Sequence, residues 1–466
     1  MDVLVMVAQV LLSLTILVGL HEWGHFYAAR KFGIRVNKFY IFFDFLFPLP
    51  NVLNFALWKR KKGDTEYGLG WFPLGGYVDI AGMVDETKDA KSLAAVPESW
   101  EFRAKPAWQR LLVMLGGIIV NVIVGVLIYS AVTFTWGDSY TPIQEINKDG
   151  IVAYEIGKEI GLQTGDKVLK INGKDVSFFE ELLNEEVILG QGSSYTIERN
   201  GEIKNIAIPD SLANMLSKRK REGKMRAFIG TRDEFEVGEV PQEVKRSLIA
   251  KLLGKGNDSI PPAAKAGLKA KDKIIAINGS PIQYYYQLQE QLQENKSKTV
   301  DLAVLRGKDT LHLKPTVTNN GTIGFMASMT TVRKDSVIHY SLLSSFGRGT
   351  QKAFNTIVTN IKGFQKIFRG DVDFSNAVSG PIGIGKLFGS IWDWERFWTL
   401  TGMLSMVLAF MNLLPIPALD GGHAVILIYE MISGRKPSEK FLERIQQVGM
   451  IILLSLMVYV FYNDLR

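Results

Sequence analysis

Long apolar runs alternate with polar stretches along the chain, and four of the runs approach the length of a membrane span. Crossing a hydrocarbon core takes roughly 20 helical residues. The four candidate spans are residues 3–20, 111–136, 397–419 and 448–462. Four basic residues closely follow the first span: Arg30, Lys31, Arg35 and Lys38. Because cytoplasmic loops are enriched in Lys and Arg, this pattern predicts an N-terminus outside and a cytoplasmic loop after the first span.

A fifth apolar run, residues 39–58, has the length of a span but not its composition. Asp44, Pro48 and Pro50 would each disrupt a helix exposed to lipid. Counting the run as a span would also leave the basic residues 59–62 outside, which the charge rule disfavours. We therefore predict a re-entrant element. Since irregular backbone at membrane depth needs protein or water to satisfy its amides, we expect this element to line a site.

The polar region between the second and third spans contains an internal repeat. The two copies read "GLQTGDKVLKINGKDV" from Gly161 and "GLKAKDKIIAINGSPI" from Gly267. Asn-Gly after an alternating strand predicts a hairpin in each copy. The copies resemble PDZ domains, which implies two tandem β-rich α+β modules over residues 138–230 and 231–330. Two β-domains without a binding groove are the alternative, and Lys271 stands where the first copy has Gly165.

After the repeats, residues 342–368 place apolar positions at helical spacing with basic residues opposite. This pattern predicts an amphipathic helix that lies on the membrane surface, within a connecting region at 331–395. The whole chain is 47% hydrophobic yet 22% charged, with a mean hydropathy of +0.09. That composition indicates a part within the membrane and a part outside it.

The net charge limits the partners to be expected, and the cysteine content limits the possible metal ligands. The net charge is +7, and no basic run interleaves with aromatic residues, so we expect contact with membrane lipid and no nucleic-acid partner. The chain has no cysteine. A metal ion would therefore have to be held by His, Asp or Glu.

The sequence "HEWGH" at the end of the first apolar run is the strongest chemical signal. On a helix, His21 and His25 share a face, so both imidazoles can reach one ion, and Glu22 lies beside that ion. This is the H-E-x-x-H pattern of zinc proteases. The structural alternative is a pair of helix-terminal histidines with a glutamate at the membrane interface. Ionisable residues at the end of an apolar span are costly, however, and tend to mark function.

Zinc needs a third protein ligand, and Asp420 in "NLLPIPALDGGH" is the best candidate. His21 lies about 18 residues into its span and Asp420 about 22 residues beyond Phe397, so at 1.5 Å per residue both should lie near the cytoplasmic ends of their helices. His423 is the rival ligand. We prefer Asp420 because Gly421 and Gly422 favour a turn between the two candidates.

These motifs resemble those of the site-2 protease family of intramembrane metalloproteases. The resemblance rests on four features, in this order along the chain: HExxH after the first apolar run, "TEYGLGWFPLGGYVDI", the tandem PDZ-like insertion and "NLLPIPALDGGH". It implies one Zn²⁺ per chain held by His21, His25 and Asp420, with Glu22 as general acid/base and Asn412 as an anchor for the substrate backbone. Residues 39–80 would include the family's re-entrant β-loop, although this chain has "IFFD" and a Pro-rich insertion there.

The fold class implied is a polytopic α-helical membrane protein with four transmembrane helices, a membrane-reentrant β-loop and two extracytoplasmic PDZ domains. The expected segments are 1–137, 138–230, 231–330, 331–395 and 396–466. The resemblance also implies a bacterial inner-membrane protein with both termini and the PDZ pair in the periplasm. Its substrate would be a single-pass membrane protein such as a trimmed anti-sigma factor, whose cleavage activates an envelope stress response. The oligomeric state stays open.

Pro415 and Pro417 free backbone groups beside Asn412. We therefore expect Asn412, Pro415 and Pro417 to form the substrate-binding set. An unwound substrate would pair with the Asn412 amide and with an edge of the re-entrant element. The alternative is that Asn412 only satisfies freed carbonyls of its own helix. We also expect the PDZ pair to screen substrates by the bulk of their outer domains.

Two other classes of protein fit parts of the pattern. A membrane-tethered PDZ scaffold with an inactive metal site would explain the modules but not the complete set of two histidines, a glutamate and an aspartate. A zinc transporter would need polar residues along a path across the membrane, and the second and fourth spans offer almost none. Zinc content and cleavage of a transmembrane substrate would separate the three.

Overall fold

The structure is a computed structural model that describes residues 2–46, 52–73, 75–83, 96–189, 192–221, 227–243, 259–331, 333, 336–378 and 380–465. The chain divides into two compact units. The first, here called the helical unit, comprises Met1–Asp138, His339–Gln365 and Ala377–Arg466. The second, here called the inserted unit, comprises Ser139–Ile338 and Lys366–Asn376. The helical unit is therefore interrupted in sequence by the inserted unit.

The helical unit begins with a long apolar helix and a small sheet. Helix α1 spans Asp2–Lys31 and ends on two basic residues. Strands β1 (Val36–Ile41), β2 (Ala56–Lys62), β3 (Thr65–Gly70) and β4 (Tyr77–Ile80) follow it. They form one sheet in the order β2-β3-β1-β4, in which β1 runs parallel to β3 and antiparallel to β4. Strand β4 thus forms one end of the sheet.

The predicted re-entrant run contributes to this sheet. Its described residues, 39–46 and 52–58, form strand and loop and not a spanning helix, and Asp44 is buried and accepts a hydrogen bond from the Tyr77 hydroxyl at 2.9 Å. Pro48 and Pro50 lie outside the described residues. The depth of the sheet in a membrane stays a prediction.

A short 3-10 helix (Phe102–Ala104) leads into α2 (Ala107–Trp136), which packs directly on α1. The two helices touch at glycines. A Cβ on Gly24 would lie 2.3 Å from the Gly116 carbonyl oxygen, and a Cβ on Gly116 would lie 2.5 Å from that of Gly24. No side chain fits at either position, so the two backbones are in direct contact.

The chain from α2 to residue 338 builds many short elements. They are β5 (Asp138–Tyr140), α3 (Ile143–Asn147), β6 (Val152–Ala153), α4 (Glu155–Glu159), β7 (Lys167–Ile171), β8 (Lys174–Asp175), a 3-10 helix (Phe179–Leu183), α5 (Glu185–Leu189), β9 (Ser194–Arg199), β10 (Glu202–Ala207), α6 (Leu212–Arg221), β11 (Ile229–Gly230), β12 (Phe235–Glu239), α7 (Pro262–Lys265), β13 (Lys273–Ile277), β14 (Ser280–Pro281), α8 (Tyr285–Glu294), β15 (Leu302–Arg306), β16 (Asp309–Leu313), β17 (Met326–Met329) and β18 (Ser336–Ile338). Two four-stranded sheets result, ordered β10-β9-β7-β8 and β14-β13-β15-β16. Each sheet lies beside its own hydrophobic cluster, one within residues 143–229 and the other within 235–323.

The two sequence repeats adopt the same local structure. Arg199 forms two 2.7 Å contacts with the Asp166 carboxylate, and Arg306 forms two 2.7 Å contacts with Asp272. Both aspartates are almost fully buried. Burial raises the pKa of Asp272, but hydrogen bonds from Arg306 and from the Lys269 backbone outweigh it and hold that pKa below its ordinary value.

The turn before each buried aspartate is also shared. Gly165 has φ 101° and Lys271 has φ 68°, so lysine occupies the left-handed region that glycine adopts in the first copy. The turn therefore has the same left-handed backbone residue in both copies, although the second copy has Lys271 there. The assignment of the two modules as PDZ domains and the boundary between them stay predictions.

Six helices follow in the described residues: α9 (Leu342–Arg369), α10 (Phe374–Ala377), α11 (Pro381–Phe388), α12 (Trp394–Leu413), α13 (Asp420–Ser433) and α14 (Glu439–Leu465). They belong to the helical unit except for Lys366–Asn376, which includes the end of α9 and most of α10. Helix α9 covers the predicted amphipathic segment and exposes apolar side chains such as Leu343 and Phe346. Its start is tied to the end of α2, because Arg348 donates a 2.9 Å hydrogen bond to Asp138 and Lys352 also pairs with that carboxylate.

Three helical segments in the described part of the chain are long and apolar enough to cross a membrane: Leu4–Lys31, Ala107–Trp136 and Lys440–Asp464. They overlap three of the four predicted spans. The helix predicted over residues 397–419 ends earlier, at Leu413, since Pro415 and Pro417 lack the N–H that a helix needs. A count of four spans therefore stays a prediction.

Candidate metal centre

Three side chains from the two ends of the chain converge in the helical unit. The Nε2 atoms of His21 and His25 lie 3.2 Å apart. The Asp420 Oδ2 atom lies 3.2 Å from His21 Nε2 and 3.3 Å from His25 Nε2. Within the described residues this is the group whose ligand atoms are close enough to share one ion.

The geometry of this group fits zinc. Zinc bonds of about 2.0–2.1 Å at tetrahedral angles place neighbouring ligand atoms about 3.3 Å apart. Asp420 Oδ2 is buried and has no hydrogen-bond partner among the described residues. The Nδ1 atom of His25 lies 2.8 Å from the Val113 carbonyl oxygen, so it carries the proton and leaves Nε2 available as a ligand. An orphaned carboxylate oxygen facing two imidazole nitrogens is what a cation would satisfy.

Helix α13 places Asp420 at its first residue. The expectation of a turn at Gly421 and Gly422 is wrong, because both glycines lie inside α13. Their role is close packing: a Cβ on Gly421 would lie 2.4 Å from the Leu414 carbonyl oxygen, and one on Gly422 would lie 2.5 Å from that of Ile416. The helix start can therefore fold back against the segment that leaves α12.

The rival ligand His423 lies one turn further along α13, in the wall of the cavity next to the three-residue group. It is not a member of that group. The structure thus brings Asp420, rather than His423, to the two histidines.

A cavity of about 470 Å³ adjoins the three ligand candidates. Its wall includes Glu22 from α1, Gly76 just before β4, Tyr77 at the start of β4, and Met457 of α14. A Cβ on Gly76 would lie 3.3 Å from Glu22 Cγ, so the approach to β4 passes directly beside the glutamate. The end strand of the sheet and the glutamate therefore face the same space.

Asn412 also lies in the cavity wall, and its Nδ2 atom is 3.4 Å from His21 Nε2. Pro415 and Pro417 lie in the connection between α12 and α13, outside the cavity wall. The predicted substrate-binding set is thus divided: the structure brings the asparagine to the metal group, while the prolines shape the segment that leads to Asp420.

Sequence reasoning missed two residues of α2 that touch the histidines. A Cβ on Gly117 would lie 2.5 Å from both His21 Cε1 and His25 Nε2. The Asn121 amide lies 3.1 Å from His21 Nδ1 and is fully buried. A signal was present, because an asparagine in the middle of an apolar span is costly and tends to mark function.

A long apolar helix that carries HExxH, a distant aspartate that joins its histidines and a glutamate beside them define a membrane-embedded metalloprotease. Comparison with known proteins agrees. The model of peptidase family M50 matches residues 9–456, and the chain belongs to this family, that of the site-2 proteases.

The chain also resembles individual relatives over nearly its whole length. It is 27% identical to the regulator of sigma E protease of Haemophilus influenzae, over 97% of each chain. It is 26% identical to the regulator of sigma-E protease RseP of Escherichia coli, over 98% of this chain and 97% of the relative. A relative from Neisseria meningitidis, 28% identical over 97% of each chain, carries zinc metalloprotease in its name. The protein is a site-2 type intramembrane protease that uses zinc.

Proposed function

We propose that the chain holds one zinc ion with His21, His25 and Asp420 and hydrolyses a peptide bond of a membrane-spanning substrate, with Glu22 as general acid/base. The observation that carries this proposal is the set of distances of 3.2–3.3 Å between the two Nε2 atoms and Asp420 Oδ2, at the wall of a cavity that also contains Glu22.

Each partner would have a separate task. Zinc, when bound, supplies a Lewis acid that polarises the scissile carbonyl and makes water a stronger nucleophile at neutral pH. Glu22 lies in the same cavity wall but outside the group of three ligand candidates. Its carboxylate accepts the proton of the attacking water and then passes it to the departing amine.

The first experiment separates the acid/base from the ligands. Glu22→Gln keeps the size of the side chain but cannot accept a proton. We expect near-normal zinc content and cleavage reduced by about 10²–10⁴-fold, the usual contribution of general acid–base catalysis. Zinc content is measured by atomic emission on purified protein, and cleavage on a model transmembrane substrate.

The ligand variants are the matched comparison. His21→Ala, His25→Ala and Asp420→Ala should each weaken zinc binding. Zinc loss in Glu22→Gln would make the glutamate a ligand. Full zinc retention in Asp420→Ala would move the third ligand elsewhere, with His423 next to be tested.

We infer that the substrate enters the cavity unwound. In a transmembrane helix the scissile amide is hydrogen-bonded within the helix, so its backbone must be freed before attack. Each freed group left unpaired in a dry site would cost about 1–3 kcal/mol. Two features support a compensating role: the Asn412 amide beside His21, which can donate and accept, and β4 at the end of its sheet, to which an extended segment could add as a strand.

We further propose an arrangement in the bacterial inner membrane. Both termini and the tandem PDZ modules would lie in the periplasm, and the zinc site near the cytoplasmic side. The basic end of α1 and the exposed basic residues 59–62 of β2 support a cytoplasmic position for the loop between them. The substrate would be a single-pass protein of the anti-sigma factor type, trimmed outside before it is cut, and the PDZ pair would screen it by size. The names of two relatives, which refer to sigma E, support this choice of substrate.

A further inference from the structure

Helix α2 presents three residues, each four positions from the next, to the proposed ligands on α1. Val113 offers its carbonyl oxygen to His25 Nδ1 at 2.8 Å. Gly117 leaves room for both imidazoles, since a Cβ there would lie 2.5 Å from an atom of each ring. The amide of Asn121 reaches His21 Nδ1 at 3.1 Å. Residues four apart lie on one face of a helix, so a single face of α2 supports both histidines.

The orientation of the Asn121 amide follows from the proton that His21 must carry as a zinc ligand. His21 Nε2 is the atom that faces His25 Nε2 and Asp420 Oδ2. A histidine that binds a metal through Nε2 carries its proton on Nδ1 and donates it to an acceptor. The oxygen and nitrogen of an amide exchange places by a half-turn of the terminal torsion, and they are not distinguished without the hydrogen-bond network.

Asn121 can supply the acceptor that His21 needs. With Nδ2 toward the ring, Asn121 Oδ1 is buried without a hydrogen-bond partner among the described residues. Turning the amide over therefore takes no hydrogen bond from Oδ1, and the requirement of His21 decides between the two orientations. The orientation that meets this requirement places Oδ1 toward Nδ1–H of His21. The position of Asn121 is itself fixed, because Ser405 of α12 donates a 2.8 Å hydrogen bond to its carbonyl oxygen.

We propose that Asn121 is a positioning residue that holds His21 in the ring orientation and tautomer needed to bind zinc. The proposal rests on the proposed function, in which His21 is a zinc ligand. The backbone carbonyl of Val113 does the same for His25, so α2 provides one side-chain acceptor and one backbone acceptor to two ligands of the same ion. Only the side-chain acceptor can be removed by substitution.

The test compares two substitutions at this position in the full-length protein. Asn121→Leu has the same number of side-chain heavy atoms and the same branching but no acceptor, and it should weaken zinc binding by about 10–100-fold, the usual effect of losing an outer partner of a metal ligand. Asn121→Asp keeps an acceptor and should bind zinc within about threefold of the wild type. Zinc dissociation constants are measured by competition with a chelator, and the visible spectrum of the Co²⁺-loaded protein reports the ligand geometry.

Controls separate this inference from the function on which it rests. Ser130→Ala, on the same helix but away from the site, should leave zinc affinity unchanged. If Asn121→Leu does not fold, Asn121→Ala replaces it with the same expected loss. Zinc affinity of the acceptor-free variant within about threefold of the wild type, together with loss in His21→Ala, would overturn the positioning role alone. Unchanged affinity in His21→Ala would instead overturn the proposed ligand set.

Discussion

Asn412 is the last asparagine before the chain leaves α12, and its amide lies between two possible partners. One is the reaction site, because Nδ2 is 3.4 Å from His21 Nε2 and the side chain lines the cavity. The other is its own helix end, where Pro415 and Pro417 leave carbonyl groups without intrahelical donors. A hydrophobic residue at this position distinguishes a substrate anchor from a residue that only completes the helix end.

We expect Asn412→Leu to lower turnover roughly 5- to 100-fold while zinc stays bound, since one unpaired backbone group in a dry site costs about 1–3 kcal/mol. Helix-breaking Gly or Pro residues near the cut site of the substrate should partly restore cleavage. Turnover is measured on a rigid substrate and on its pre-broken counterpart. The exposed neighbour Leu413, changed to Met, is the control. Equal losses on both substrates would leave Asn412 with a structural role.

At the scale of secondary-structure elements, the sequence predicts the features that depend on the spacing of nearby residues. The four-residue spacing of His21 and His25 on a helix, the hairpins after each Ile-Asn-Gly and the amphipathic α9 all follow from periodicity and turn residues. The separate helix α13 does not follow from such local patterns. Gly421 and Gly422 favour a turn by propensity, but tertiary packing against the Leu414 and Ile416 carbonyl groups places them inside a helix.

Long-range contacts account for the other omissions. Strands β3 and β4 enter the same sheet as β1 through non-consecutive pairing, which no local pattern indicates. Asn121 and Gly117 gain their importance only where α2 meets α1. The sequence repeat points to the two aspartates of the buried Asp–Arg pairs. It does not point to their arginine partners, which lie two strands further along the chain.

These pairs give a prediction about the modules. Asp272→Asn weakens the contact with Arg306 and should destabilise its module by about 2–3 kcal/mol, less than for a fully buried pair because Arg306 is partly exposed. The pair lowers the pKa of Asp272, so its stabilisation is present above the unfolded pKa of about 3.9 and is lost as pH falls through the lower folded value. Wild type and variant should therefore converge in strong acid.

Hydrogen exchange in the full-length protein measures the effect strand by strand. Asp272→Asn should loosen β13 and β15 and spare β7 and β9, and Asp166→Asn should do the reverse. Asp309→Asn, at an exposed hairpin position, is the control. Equal loosening of both sheets by either change would show one cooperative domain, contrary to the predicted division at residues 230 and 231.

At the scale of the whole molecule, the interrupted helical unit is the main feature. All three proposed zinc ligands, the glutamate and the residues that line the cavity belong to it, and the described residues of Ser139–Ile338 supply none of them. We therefore expect the inserted unit to affect which substrates are cut more than the cleavage step itself.

Replacing Ser139–Ile338 by a flexible linker should let substrates with intact outer domains be cut, while the rate on trimmed substrates stays within a few-fold of the wild type. Retaining Asp138 preserves its pairing with Arg348 and Lys352. Cleavage of a trimmed and an untrimmed version of the same substrate is compared in vesicles. Unchanged preference for the trimmed version would refute size selection by the PDZ pair.

The number of residues between the proposed ligands sets the interval between their synthesis on the ribosome. His21 and His25 are synthesised roughly 400 residues before Asp420, which at about 5–20 residues per second is an interval of roughly 20–80 s. Throughout it, α1 carries two histidines and a glutamate but no carboxylate ligand. The ribosome thus completes the metal site only after α1 to α12 have been made. The proposed activity therefore cannot act on α1 to α12 while they are being synthesised, since the third ligand is made after them.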